Sequence, residues 1–100
     1  METTDIIEVI QNELNIKLYP ESDYYTSKNN KVYLREYRYG VFVVFNLTKK
    51  DIDIKISKTI RTEKDLSNLI KIIKKAKGLR WQYQELKWLQ NMGLNLERWE

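Results

Sequence analysis

Residues 32–58, VYLREYRYGVFVVFNLTKKDIDIKISK, decide the fold. The stretch is rich in Val, Ile, Phe and Tyr, types that suit a pleated, half-buried surface. Gly40 is its one natural turn or bulge position, and Thr48-Lys49-Lys50-Asp51 forms a short polar break. From Ile52 to Lys58 apolar and polar residues alternate strictly, the period of a strand with one buried face. The spacing predicts a three-stranded antiparallel meander. Its one face carries Val32, Leu34, Val43, Phe45, Ile54 and Ile56. Its other face carries Tyr33, Arg35, Tyr37, Phe42, Asp53 and Lys55.

An aliphatic face needs a cover, and the flanking sequence offers one. Thr4 and Asp5 are good N-caps, Glu8 stands at capping-box spacing from Asp5, and Ile6, Ile10 and Leu14 form a helical stripe. A helix is predicted over 5–15. The polar run 20–31, PESDYYTSKNNK, with its Asn29-Asn30 turn signal, reads as the longest loop. After the strands, Thr62 caps a second helix over 62–77, with Asp65 three residues on and Leu66, Leu69, Ile70 and Ile73 as its buried stripe. A third helix is predicted over 79–92, stopping at Gly93, with the tail 93–100 held by its apolar residues. The expected architecture is a single α+β domain over 1–100: a three-stranded antiparallel meander with helices packed on it, order α-β-β-β-α-α.

Composition excludes much chemistry. The 100 residues are 42% hydrophobic and 32% charged, a globular balance with room for one core. Cysteine and histidine are both absent. No disulfide framework is available, nor any zinc site of the usual nitrogen and sulfur kind, nor a Ser-His or Cys-His nucleophile. No apolar run reaches the ~18 residues a membrane span needs, and the N-terminus lacks the basic start and apolar stretch of a signal peptide. A cytoplasmic protein without cofactor or metal is expected. Charge is uneven: residues 1–30 carry a net −4, residues 31–62 a net +5 and residues 63–100 a net +3. Such asymmetry marks either a basic interaction face or an acidic helix lying beside a basic sheet.

Three groups of residues are candidates for binding. Tyr33, Arg35 and Tyr37 share the polar face of the sheet with Lys55. Flat rings beside cations suit nucleic acid, because bases stack while phosphates pair; the same residues serve as packing if a third helix covers the face. Lys64, Lys71, Lys74 and Lys75 form a ridge on the second helix, which is also how the solvated side of any amphipathic helix looks. Trp81, Trp88 and Met92 share one line of the third helix, opposite Leu79, Tyr83 and Leu86, so its apolar arc exceeds a single buried stripe. Trp, Tyr, Arg and Met dominate protein–protein hot spots, and a homodimer through that line satisfies the same pattern. A fourth candidate is catalytic: Asp53-Ile54-Lys55 has the D-x-K spacing of metal-dependent nucleases, with Glu36 as the substitute for the missing second acid.

The order α-β-β-β-α resembles that of double-stranded-RNA-binding domains, and Lys74-Lys75-Ala76-Lys77 is similar to that family's lysine motif. The motif stands at the C-terminal end of the helix here, whereas the family has it at the start, so the likeness is one of topology and membership does not follow. The Lys-, Ile-, Asn- and Tyr-rich character looks like that of a phage or mobile-element accessory protein. The leading expectation is a non-catalytic regulator or inhibitor that binds another protein through Trp81, Trp88 and Met92 and through Tyr33, Arg35 and Tyr37. Next comes a non-catalytic nucleic-acid-binding domain that uses the tyrosine face, Lys55 and the helix lysines. A Mg-dependent nuclease ranks third.

Overall fold

The structure is a computed structural model that describes residues 2–49, 52–78 and 95–98. Helix α1 (Thr3–Leu14) is followed by strands β1 (Tyr19–Pro20), β2 (Tyr25–Ser27), β3 (Asn30–Tyr37), β4 (Gly40–Lys49) and β5 (Ile52–Ile60). Helix α2 (Glu63–Gly78) and strand β6 (Asn95–Arg98) complete the described elements. The strands form one antiparallel sheet in sequence order, β1-β2-β3-β4-β5-β6. The α+β class and the central meander of β3, β4 and β5 match the sequence reading. A three-stranded sheet is too small: two short strands extend one edge and a third extends the other. The expected third helix over 79–92 lies outside the described residues.

Burial follows the alternation. Val32, Phe45 and Ile56 form one cross-strand row, all at 0% exposure. Onto this aliphatic face pack Ile6, Ile7 and Ile10 of α1 and Leu66, Leu69 and Ile73 of α2. Both helices therefore occupy the same side of the sheet, and neither covers the other side.

Residues 20–31 depart most from expectation. Instead of one long loop they hold most of β1 and β2 and a two-residue hairpin tip, Lys28-Asn29. Asn29 takes the left-handed conformation (φ 69°) that Asn tolerates better than most residues. Asn30 folds back over the tip, donating from Nδ2 to the Ser27 hydroxyl and the Lys28 carbonyl, and the Thr48 N–H donates to the Asn29 carbonyl. Polar residues thus build the turn, while Tyr25 packs against the core and gives the segment its anchor. Pro20 lies within β1, where an edge strand tolerates its missing N–H. Within the expected tail, residues 95–98 pair through the backbone: β6 lies antiparallel to β5 with Ile54 opposite Leu96.

The helix ends are fixed by caps. α1 begins two residues earlier than its Thr4 and Asp5 signals suggest, because Glu2 is the N-cap and its N–H donates to Asp5 Oδ2 at 3.2 Å. Asn15 closes the helix in the left-handed conformation, and Gln11 Oε1 accepts from the Leu18 N–H to turn the chain toward the sheet. α2 has the cap its sequence announced. The Asp65 N–H donates to Thr62 Oγ1, while Asp65 Oδ2 accepts from the N–H groups of Thr62 and Arg61 at 3.1 and 2.9 Å.

The Arg61 N–H, more than anything else, holds the Asp65 carboxyl below its ordinary pKa of 3.8. A carboxylate with a depressed folded pKa adds stability that is complete above its unfolded value and lost as pH falls through the folded one. Urea titrations at a series of pH values are expected to show wild type more stable than Asp65→Asn at neutral pH, with the gap closing below about pH 3.8. A gap that stays constant to pH 2 speaks against this cap.

Candidate functional site

The side of the sheet away from the helices is built by the second half of the alternation. Cross-strand register sets its rows: Lys31 beside Asn46 beside Lys55, then Tyr33 beside Val44 beside Ser57, then Arg35 beside Phe42 beside Thr59. Tyr33 and Tyr37 are 39% and 42% exposed, while Phe42 and Val44 are half-buried between the strands. Around Asn46 the surface sinks into a shallow depression of about 460 Å³, floored by Phe42 and Val44 and edged by Lys31, Tyr33 and Lys55.

Rings and cations are already organised on this face. At one corner Tyr24 meets Tyr33 with centroids 5.3 Å apart, and the Lys31 ammonium lies 5.6 Å from the Tyr24 ring. At the β3–β4 hairpin end Tyr37 and Tyr39 stack at 5.5 Å with planes 9° apart. Arg35 lies over Tyr37 at 5.8 Å and Arg61 over Tyr39 at 5.5 Å. Four side chains from one strand, a turn and the approach to α2 thereby form one Arg-Tyr-Tyr-Arg array. Gly40 makes it fit: a Cβ there would stand 2.7 Å from the Ile60 carbonyl oxygen and 3.1 Å from Arg61 Cγ. The missing side chain lets β5 approach and lets Arg61 cross toward Tyr39.

Two polar residues on this face are buried. Asp53, 5% exposed, accepts a 2.6 Å hydrogen bond from Thr48 Oγ1 on the neighbouring strand. Asn46, 8% exposed, differs from it. Among the described residues its Oδ1 is the one buried side-chain polar atom without a hydrogen-bond partner. An unmet buried acceptor costs about 1–3 kcal/mol, so its retention in a central strand calls for a reason.

The structure brings Tyr33, Arg35, Tyr37 and Lys55 onto one face, as the alternation required. It does not bring the helix lysines to them. α2 packs on the aliphatic face, so Lys64, Lys71, Lys74 and Lys75 are exposed on the opposite side of the molecule. Lys74 there pairs with Glu13 of α1 at 3.3 Å, and partial burial holds the Lys77 ammonium below its ordinary pKa. The run Lys74-Lys75-Ala76-Lys77 sits at the C-terminal end of α2, away from the helix start that the double-stranded-RNA-binding pattern uses. Trp81, Trp88 and Met92 lie outside the described residues.

Glu36 and Asp53, the two acids of the nuclease pattern, are not brought together. Glu36 pairs opposite Val41 on the aliphatic side of the sheet, whereas Asp53 pairs opposite Thr48 on the polar side. Seven residues of β4 separate the two positions, roughly 23 Å of strand. Among the described residues no group of three potential metal ligands exists.

Four contributors to the face were not singled out in the sequence. Tyr24 and Lys31 fell in a supposed loop, Tyr39 in a turn and Arg61 in a connection. Only pairing of β2 with β3 and closure of the Gly40 hairpin place them. The chain matches no family model, no curated protein and no solved structure. What the face can bind follows from its own chemistry.

Gly40→Ala is expected to cost about 1–3 kcal/mol in urea unfolding, because the added methyl overpacks the Ile60 carbonyl. It should also separate Arg61 from Tyr39, read as a changed Tyr39 ring chemical shift. Unchanged stability and shift would mean that the close approach at Gly40 is not rigid.

Proposed function

We propose that this protein is a non-catalytic domain that binds single-stranded nucleic acid on the tyrosine-bearing face of its sheet. The observation that carries the reading is the interleaving of rings with cations. Lys31, Arg35, Lys55 and Arg61 stand among Tyr24, Tyr33, Tyr37 and Tyr39; of the two carboxylates that register places on the described face, Asp53 is buried and accepts a bond from Thr48, and Glu97 stands opposite it on β6 at the sheet edge. A polyanion with flat bases matches both halves of that pattern. Two of the four cations are lysines, a type depleted at the cores of protein–protein interfaces. Exposed strands carrying aromatics also suit single strands better than a duplex, whose bases are already stacked. Site residues in this reading are Tyr33, Arg35, Tyr37, Lys31 and Lys55. The lysine ridge of α2, on the other side, is not part of it. Cytoplasmic action belongs to the same proposal.

A second reading keeps the regulator or inhibitor that binds another protein. What favours it is the Arg35-Tyr37-Tyr39-Arg61 array, made only of residue types that dominate hot spots and already held in stacked contacts. Tyr37 and Tyr39 keep 42% and 59% exposure in that stack, so the array presents open ring surface to a partner.

Fluorescence anisotropy with labelled mixed-sequence oligonucleotides distinguishes the two. Four phosphates neutralised on a single strand correspond to a log K against log salt slope of about −3. Arg35→Gln should flatten that slope by about 0.7, and Tyr33→Ala should weaken binding by about 1–3 kcal/mol. The double variant Lys64→Ala/Lys71→Ala serves as the control and should change neither. No binding even at low ionic strength defeats the nucleic-acid reading; partner capture that survives high salt and disappears in Tyr37→Ala/Tyr39→Ala supports the second.

A further inference from the structure

Strand β3 is paired along its whole length on one side and along only part of it on the other. Towards β4 its register runs unbroken from Asn30 opposite Leu47 to Tyr37 opposite Gly40. Towards β2 it stops at Val32 opposite Tyr25, and Tyr24 then bends away with its ring against Tyr33. Among the described residues, no strand lies beyond Leu34, Arg35, Glu36 and Tyr37, and their backbone bonds to no segment other than β4. Arg35, Glu36 and Tyr37 are exposed, and Leu34 is half-buried against the core. Proteins ordinarily close such an edge with Pro, Lys, a bulge or a covering element. Pro20 does this in β1, whereas the open part of β3, about 13 Å of strand, has no Pro, no Lys and no bulge.

Its side chains select what can pair there. Arg35 and Tyr37 stand on the tyrosine face, Leu34 and Glu36 on the helix side. A second copy of the chain is a poor fit. Two identical edges that join antiparallel about a two-fold axis must set one residue opposite itself. If at least three residues of 34–37 are to pair, that residue is Arg35 or Glu36, and like charges directly opposite each other repel. A strand of complementary charge meets no such obstacle. We propose that the open edge of β3 accepts an extended segment of another protein as an added antiparallel strand. Read from its N-terminus, the segment carries an aromatic residue opposite Tyr37, a basic one opposite Glu36, an acidic one opposite Arg35 and an aliphatic one opposite Leu34. Backbone bonds to the edge supply affinity, and the two opposite-charge pairs, one on each face, fix the register. The edge is distinct from the tyrosine face, and its pairing does not depend on nucleic-acid binding.

The probe is a capped octapeptide with Tyr-Lys-Glu-Val at its centre, titrated into the isotope-labelled full chain and followed by NMR. Expected are shifts of the amide signals of residues 34–37 and slower hydrogen exchange there. A peptide with its Lys and Glu interchanged should bind about ten-fold more weakly, because two attractive pairs become repulsive. Glu36→Lys should weaken binding of the first peptide and favour one in which Glu replaces the Lys. N-methylation separates backbone pairing from side-chain docking. Alternate residues of an added strand turn their N–H groups to the edge, so methylating one alternate set should abolish binding and methylating the other should spare it. Binding that responds equally to both sets, or that leaves the signals of 34–37 unmoved, overturns the proposal. So does slow exchange of those amides in the free protein: the edge is then already covered, by a second copy if protection grows with concentration and by the chain itself if it does not. If Glu36→Lys does not fold, the peptide series on wild type decides alone.

Discussion

Val32, Phe45 and Ile56 lie side by side on three adjacent strands, each sealed from solvent, and the placement of almost everything else depends on that row. Strand side chains alternate with a period of two, so fixing this row on the helix side fixes Tyr33, Val44 and Ser57 on the other. A one-residue slip would drive tyrosines and cations under α1 and α2 and push isoleucines into water. The core thus enforces the register, and the register composes the outer face. Two helices suffice to cover one side, since Ile6, Ile10, Leu69 and Ile73 are all at 0% exposure against it.

Local polar chemistry does the remaining positioning. The Asn29 tip and the folded-back Asn30 side chain bring β2 alongside β3, which carries Tyr24 to Tyr33 and puts Lys31 in line with Asn46. At the opposite end Gly40 lets β5 and Arg61 approach the hairpin, completing the stack over Tyr37 and Tyr39. The Thr62–Asp65 cap then starts α2 immediately after Arg61, so the same short connection ends the site and begins the helix that covers the core.

Charge is divided in a way that composition does not reveal. The lysines of α2 and the cations of the sheet occupy opposite sides of the molecule, with the core between them. On the helix side Glu13 answers Lys74, and the groove between α1 and α2 sets Asp5 and Glu63 beside Lys71; Arg61, at the end of the sheet, borders both that groove and Tyr39. On the sheet side Asp53 is buried and engaged and Glu97 stands opposite it at the β6 edge, so the cations beside the tyrosines outnumber the carboxylates. A net charge of +4 spread over both surfaces says little; its arrangement on the sheet is what gives the face an anion-binding character.

The sequence by itself determined the α+β class, the central meander, the two faces of that meander and the capped second helix. Each of these follows from a local rule: period two for strands, period 3.6 for helices, and Thr62 with Asp65 at cap spacing. It also placed Tyr33, Arg35, Tyr37 and Lys55 together, since alternation alone assigns them one side. The polar segment 20–31 and the tail around 95–98 were not legible as strands. Their pairing energy comes from a neighbouring strand's backbone, and their own residues, SKNN and NLER among them, carry no strand periodicity. Tertiary structure alone decided that the α2 lysines stand apart from the tyrosines, that Glu36 and Asp53 are on different faces, and that Asn46 sits buried with an unmet oxygen. All three depend on which side of a strand packs against what, and that is settled by register between segments distant in sequence.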